Sequence, residues 1–243
     1  MNKDVTDAKN FAYANQDRGL KNHEEIMLQL IDKHIELDAI DVLDIGCADG
    51  IFLEELSSHK KCSLVDGLDN DLALVERARG RKYKAKSSEI YFNDVLDLLN
   101  DQNPLGGKKY DVIIASGIFA FFENIDDIAQ AFSSLLKETG KIFIFNRCNS
   151  RDLDIKYSVR PTTSVQWGQS IHVLSIDGFL NSLSKSFCDF EVQKFELDFD
   201  IEERDSIYAG YTVKKQDGSR MVLTRYNFQN EYFFVVANKL RGV

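Results

Sequence analysis

The chain reads as an α/β protein: a doubly wound, mostly parallel seven-stranded sheet with helices on both faces, an antiparallel C-terminal hairpin and an extra β-hairpin. Three observations predict this. Over roughly the first 150 residues, short apolar runs alternate with segments of helical periodicity, as a parallel sheet covered on both faces requires. The first apolar run ends in small residues, Gly46-Cys47-Ala48-Asp49-Gly50, and a helical pattern begins at once. The last third changes to strand patterning around Gln216-Asp217-Gly218-Ser219, a good hairpin turn.

Each element follows from its pattern. Residues 24–36 carry Met27, Leu30, Ile31 and Ile35 on one helical face. Residues 40–45 form the first strand, and Ile51, Phe52, Leu53 and Leu56 open the next helix. The unit recurs as strand 63–68 with helix 72–79, then strand 89–92 with a short helix at 95–100. Strand 110–115 precedes an amphipathic helix marked by Ile125, Ile128, Ala129, Phe132, Leu135 and Leu136. Gly140 is expected to stop that helix, and 141–145 is the fifth strand. Residues 150–172 read as irregular, 176–187 as a helix, and 191–199, 207–215, 220–227 and 231–237 as strands.

The chain has 243 residues, 44% of them apolar and 28% charged, which is ordinary globular usage. One domain over 1–243 is expected: an N-terminal lid and helix at 1–36, a core at 37–149, and a final segment at 150–243. A net charge of −9 argues against nucleic acid as a partner, because phosphate binding needs clustered Lys and Arg. No run approaches the roughly 18–20 apolar residues that span a bilayer. The polar start of the chain lacks a signal-peptide pattern, so a cytoplasmic location is expected. The four cysteines are scattered, which suits reduced thiols and no metal site.

Val42-Leu43-Asp44-Ile45-Gly46-Cys47-Ala48-Asp49-Gly50 carries the chemistry. An apolar strand delivers the chain into a turn where backbone can approach a ligand, at the carboxyl edge where open α/β sheets bind. A plain strand-turn-helix corner would look similar. Gly67-Leu68-Asp69 closes the next strand, and an acid there can accept both hydroxyls of a ribose, although it could equally cap the following helix. Asn93-Asp94-Val95 closes the third; alone it is most simply an N-cap.

Together these three marks resemble the class I S-adenosylmethionine-dependent methyltransferases. The resemblance is close over about 38–148 and loose over 170–240. It implies S-adenosylmethionine (SAM) as cofactor, with its aminoacid part at the loop Gly46, Cys47, Ala48, Gly50, its ribose at Asp69 and its adenine at Asp94 and Val95; Asp44, Phe52 and Asn70 are expected in the same cofactor site. Ser116 and Gly117, after the fourth strand, would lie beside it, and Tyr13 in the lid would cover it. Ala48 departs from the usual middle glycine. Gly50 lies four residues after Gly46, which fits G-x-G-x-x-G badly and argues against a nicotinamide cofactor.

The acceptor is expected to be a small molecule or saccharide methylated on oxygen or nitrogen. A hydroxyl acceptor would need a general base, and His23 and His172 are the candidates among four histidines, although either could be a packing residue. Arg147, Arg151 and Arg160 follow the fifth strand and could hold a carboxylate or phosphate, or simply carry surface charge. Tyr157 and Trp167 could wall a pocket. Two other readings remain: a catalytically inactive SAM-binding or partner-binding protein of the same fold, and a nucleic-acid methyltransferase. The second lacks an Asn-Pro-Pro-Tyr-like motif after strand four, where Ser116-Gly117-Ile118-Phe119 stands.

Overall fold

A computed structural model describes residues 19–100, 103–160, 165–168, 170–197, 199–202, 210–224 and 229–240. Helix α1 (Asn22–His34) opens with the Glu24 carboxylate accepting the Lys21 N–H at 2.7 Å, and it buries Met27, Leu30 and Ile31. That spacing places one stripe against the sheet. Strand β1 (Ile40–Ile45) leads through the glycine turn into α2 (Ile51–His59). Then come β2 (Cys62–Asp69), α3 (Leu72–Arg79), β3 (Ala85–Phe92), a 3-10 turn at Val95–Leu99 and β4 (Tyr110–Ser116). A second 3-10 turn (Phe119–Phe121), α4 (Ile125–Leu135) and β5 (Leu136–Cys148) complete the parallel part.

The remaining elements are β6 (Ile155–Tyr157), β7 (Ile171–Val173), α5 (Ile176–Leu183), β8 (Phe187–Phe195), β9 (Gly210–Lys214), β10 (Arg220–Thr224) and β11 (Gln229–Lys239). Among the described residues the main sheet has nine strands, ordered β3-β2-β1-β4-β5-β11-β10-β9, with β8 also on β11. Seven of them, β3-β2-β1-β4-β5-β11-β8, form the doubly wound body, and β9 with β10 is the additional hairpin. Strands β1 and β4 are almost wholly buried, and β5 is buried along its apolar stretch Ile142–Phe145, as strands covered on both faces must be. One face packs on α1, α2 and α3, through Met27, Ile31, Leu53, Leu56, Val75, Phe143 and Phe145. The other packs on α4 and α5, through Phe132, Phe119, Phe179 and Ile144. No helix among the described residues is long and apolar enough to cross a membrane.

Four elements differ from the sequence reading. Gly140 does not cap α4, which ends five residues earlier at Leu135. It lies inside β5, where the pairing jumps from Tyr110↔Leu136 to Val112↔Lys141. A methyl group there would sit 2.9 Å from both Leu136 Cδ2 and the Tyr110 carbonyl, so close approach selects the glycine. Residues 150–172 are not irregular throughout, because β6 and β7 pair antiparallel (Ile155↔Val173, Tyr157↔Ile171). Helix α5 stops at Leu183 rather than 187, because Phe187 starts β8 opposite Lys239. Strand β3 begins at Ala85, well before 89. Its exposed Lys86, Ser87 and Ser88 lie on the edge strand of the sheet and give no apolar signal.

Candidate active site

The site is built where β1, β2, β4 and β5 end. Gly46 (φ 79°), Ala48 (φ 48°) and Gly50 (φ 73°) are all left-handed, which curls the turn back over the strand ends. The Gly46 and Cys47 N–H groups both donate to the Leu68 carbonyl, at 2.8 and 3.1 Å. The Ala48 N–H donates to Asp69 Oδ2 at 2.9 Å. That bond holds an alanine where a glycine would be easier. A methyl on Gly46 would sit 2.5 Å from Ile118 Cγ2. Gly46→Ala is therefore expected to destabilise the fold by roughly 2–4 kcal/mol, combining left-handed strain with overpacking. A urea midpoint unchanged from the parent would contradict that.

Asp69 bridges two elements. Its Oδ1 accepts the Asp71 N–H at 2.9 Å while Oδ2 takes Ala48. Burial raises its proton affinity, and the bonds from Asp71 and Ala48 oppose that rise. Each oxygen keeps one further lone pair, which is the capacity a ribose diol requires. Asp71 separately caps α3 through Ala73 and Leu74. Asn70 Nδ2 reaches Asp94 Oδ2 at 3.4 Å, joining the ends of β2 and β3. Asp94 also caps its 3-10 turn through Leu96, and Val95 tucks beneath it. Leu72, Phe92 and Leu96 stay exposed around these polar groups, leaving apolar surface at the mouth that a planar base would cover.

Asp44 is the most unusual group here. It is 4% exposed, yet no hydrogen bond from a described residue reaches its carboxylate. Burial pushes its pKa up to about 8, helped by the like charges of Glu24 and Asp69. A cationic ligand would relieve this, and the ammonium group of an aminoacid is one. Cys47 is buried beside it, and its thiol is pushed up for the same reasons. Phe52 is buried in the core under the loop rather than lining it. Ser116 ends β4 opposite Phe145, and Gly117 (φ 75°) donates to the Phe145 carbonyl at 2.7 Å with open space where its side chain would be. Tyr13 lies outside the described residues.

The acceptor candidates separate into two groups. Arg147 stands on β5, two strands from Asp44 on the same face of the sheet. Its Nη1 donates to the Tyr157 hydroxyl at 2.8 Å and Nη2 to the Tyr232 hydroxyl at 3.3 Å; Nε is buried with no partner among the described residues. Burial disfavours its charge, but the two tyrosine oxygens more than offset this and raise its pKa. His23 stacks on Phe145 at 4.5 Å, Phe145 stacks on Tyr232 at 5.3 Å, and the guanidinium lies 5.7 Å from the Tyr232 ring centre. His23, Phe145, Tyr232 and Arg147 thus form one column beside the strand ends. His172 is elsewhere, on β7, 3.8 Å from Glu123, which also pairs with Lys156. Arg160 lies 5.1 Å over the exposed Trp167 ring, so these two partner each other at the surface. Arg151 is exposed.

Sequence reasoning missed Tyr232 and Glu24. Tyr232 sits in an apolar strand and reads as core; only its register opposite Arg147 reveals it. Glu24 reads as a first-turn acid and acts as one, but α1 also brings it near Asp44.

Residues 43–142 match the family model of a methyltransferase domain. Malonyl-[acyl-carrier protein] O-methyltransferase 1 of Ilyobacter polytropus is 27% identical over 231 residues, which are 90% of this chain and 81% of that protein. A ubiquinone biosynthesis O-methyltransferase of Coxiella burnetii is 22% identical over 63% of this chain and 72% of its own. The chain is a class I SAM-dependent methyltransferase. Among solved structures, a SAM-dependent methyltransferase of Methanosarcina mazei superposes with a TM-score of 0.59 at 13% identity, covering 92% of this enzyme and 99% of that chain. The N-methyltransferase NodS of Bradyrhizobium japonicum, solved with S-adenosylhomocysteine, gives 0.50 at 16% identity, covering 88% and 86%. The enzyme uses SAM.

Proposed function

We propose that this methyltransferase transfers the methyl group to an oxygen of a small acceptor that carries a carboxylate, and that Arg147 holds the acceptor. Arg147 carries the reading: a guanidinium drawn inward, fixed at both terminal nitrogens by tyrosines, with a buried Nε still to be satisfied. Charge-assisted bonds to a carboxylate are the natural use of such a group. The relatives named above support oxygen as the target, one of them acting on a malonyl group, which ends in a free carboxylate.

In this reading Asp44 receives the aminoacid end of the cofactor, the 46–50 turn receives its backbone, Asp69 its ribose, and Asn70, Asp94 and Val95 its adenine. The cofactor supplies an electrophilic methyl on a sulfonium. The protein contributes alignment, and alignment is worth roughly 7–11 kcal/mol of barrier. A carboxylate is already ionised at neutral pH and needs no general base. His23 then serves by stacking on Phe145, and His172 by its place beside Glu123, rather than by moving protons.

The test is a methyl-transfer assay with malonyl thioesters, simple dicarboxylates, phenols and amines. The expected product is a methyl ester, which releases methanol in mild alkali. A product stable to alkali would overturn the carboxylate assignment. Arg147→Gln is expected to raise the acceptor KM by about 10–100-fold, the range for losing a charge-assisted bond, with cofactor affinity within about twofold of the parent.

A further inference from the structure

We infer that cofactor capture at the end of β1 is coupled to proton release: Asp44 holds a proton in the free enzyme and gives it to solvent when the cofactor's ammonium group settles beside it. This rests on the placement of the aminoacid end just proposed.

The geometry supplies three carboxylates from three elements, Asp44 on β1, Asp69 at the end of β2 and Glu24 in the first turn of α1. Asp44 is the most buried of them, and among the described residues it has no hydrogen-bond donor. The other two are engaged, Asp69 by Ala48 and Asp71, and Glu24 by the Lys21 N–H. Every titratable neighbour of Asp44 shares its sign or is neutral. Glu24 and Asp69 are acids, Cys47 in the turn is a buried thiol, and Tyr83, after α3, is a half-buried phenol. Among the described residues no Lys, Arg or His is among the charges acting on it. A carboxyl in that setting keeps its proton, as buried like-charged pairs do.

The ammonium changes the balance. A fixed positive charge within a few ångströms favours the carboxylate. The O–H bond of Asp44 breaks, its proton leaves to buffer, and the N–H of the ammonium donates to the freed oxygen. No proton moves from the cofactor itself. Cofactor affinity should therefore climb as pH rises, until Asp44 is ionised without help.

Calorimetry at pH 7 in buffers of different ionisation heat counts the released protons directly. S-adenosylhomocysteine and 5′-methylthioadenosine are the two probes. Both carry the nucleoside, so any proton from Asp69 appears with both; only the first carries the ammonium. The expected result is about one more proton released with S-adenosylhomocysteine than with methylthioadenosine, a difference that shrinks toward zero by about pH 9. Asp44→Asn should abolish the difference while methylthioadenosine still binds. Equal proton counts for the two probes would overturn the inference while leaving the cofactor site intact. Heat from methylthioadenosine alone would overturn the aminoacid placement, and no heat from either would remove the whole cofactor reading.

Discussion

Asp44→Asn is expected to leave the free enzyme more stable than the parent at neutral and alkaline pH, and to weaken SAM binding severely. Asp44 has a folded-state pKa of about 8, raised from 3.8 by burial first and by Glu24 and Asp69 second. A raised carboxyl binds its proton more tightly folded than unfolded. Folding is therefore favoured at low pH, and that advantage is lost as pH rises between about 4 and 8. At pH 7 the cost of keeping the carboxyl protonated is at most roughly 4 kcal/mol. The amide that replaces it is still buried without a partner, at about 1–3 kcal/mol. A net gain of about 1–3 kcal/mol follows at pH 7, vanishing between about pH 4.5 and pH 6, where the titration cost has fallen to that of the amide. Thermal melts of both proteins at pH 5 and pH 8 check it, and a midpoint difference that is the same at both pH values would sink the argument. SAM affinity should fall more than tenfold, since the neutral amide offers the ammonium no charge.

Asp69→Ala is the second large effect. It removes a carboxylate that accepts from Ala48 and Asp71 and that retains room for two hydroxyls. SAM affinity should drop by about 2–3 kcal/mol, or roughly 30–150-fold. Unlike Asp44→Asn it should also destabilise the free enzyme, by about 1–3 kcal/mol, because the Ala48 N–H loses its acceptor in a strained turn. The two aspartates are therefore distinguishable: replacing one raises the melting point, replacing the other lowers it. An unchanged dissociation constant in Asp69→Ala would assign that residue to holding the turn alone.

The turn and strand ends that carry the proposed cofactor residues were legible in the sequence because they are made by local rules. A glycine turn after an apolar strand and an acid at the end of the next strand are fixed by chain geometry within about 25 residues. The proposed acceptor half is made by register. Tyr232 meets Arg147 only because β11 runs antiparallel beside β5, and Tyr157 only because the β6–β7 hairpin folds back to Arg147. Gly140 misled for a related reason: a glycine five residues past a helix looks like a stop, whereas here the close Tyr110 carbonyl selects it. The aromatic column of His23, Phe145 and Tyr232 draws on three elements, and no periodicity announces it. Residues 207–215 and 220–227 read correctly as a hairpin around Asp217-Gly218, since the turn itself carries the signal; 203–209 and 225–228 lie outside the described residues.

Strand β11 lies between β5 and β8 although it follows both in the chain. As the polypeptide leaves the ribosome, the parallel strands can assemble around the glycine turn while β8 still has no neighbour to pair with. Synthesis must continue from Phe195, where β8 ends, to Gln229 before β11 begins to emerge and can insert. The glycine turn and Asp69 are thus synthesised well before Tyr232. The pairing that brings Tyr232 to Arg147 joins residues far apart in the chain, the slow kind of contact to form.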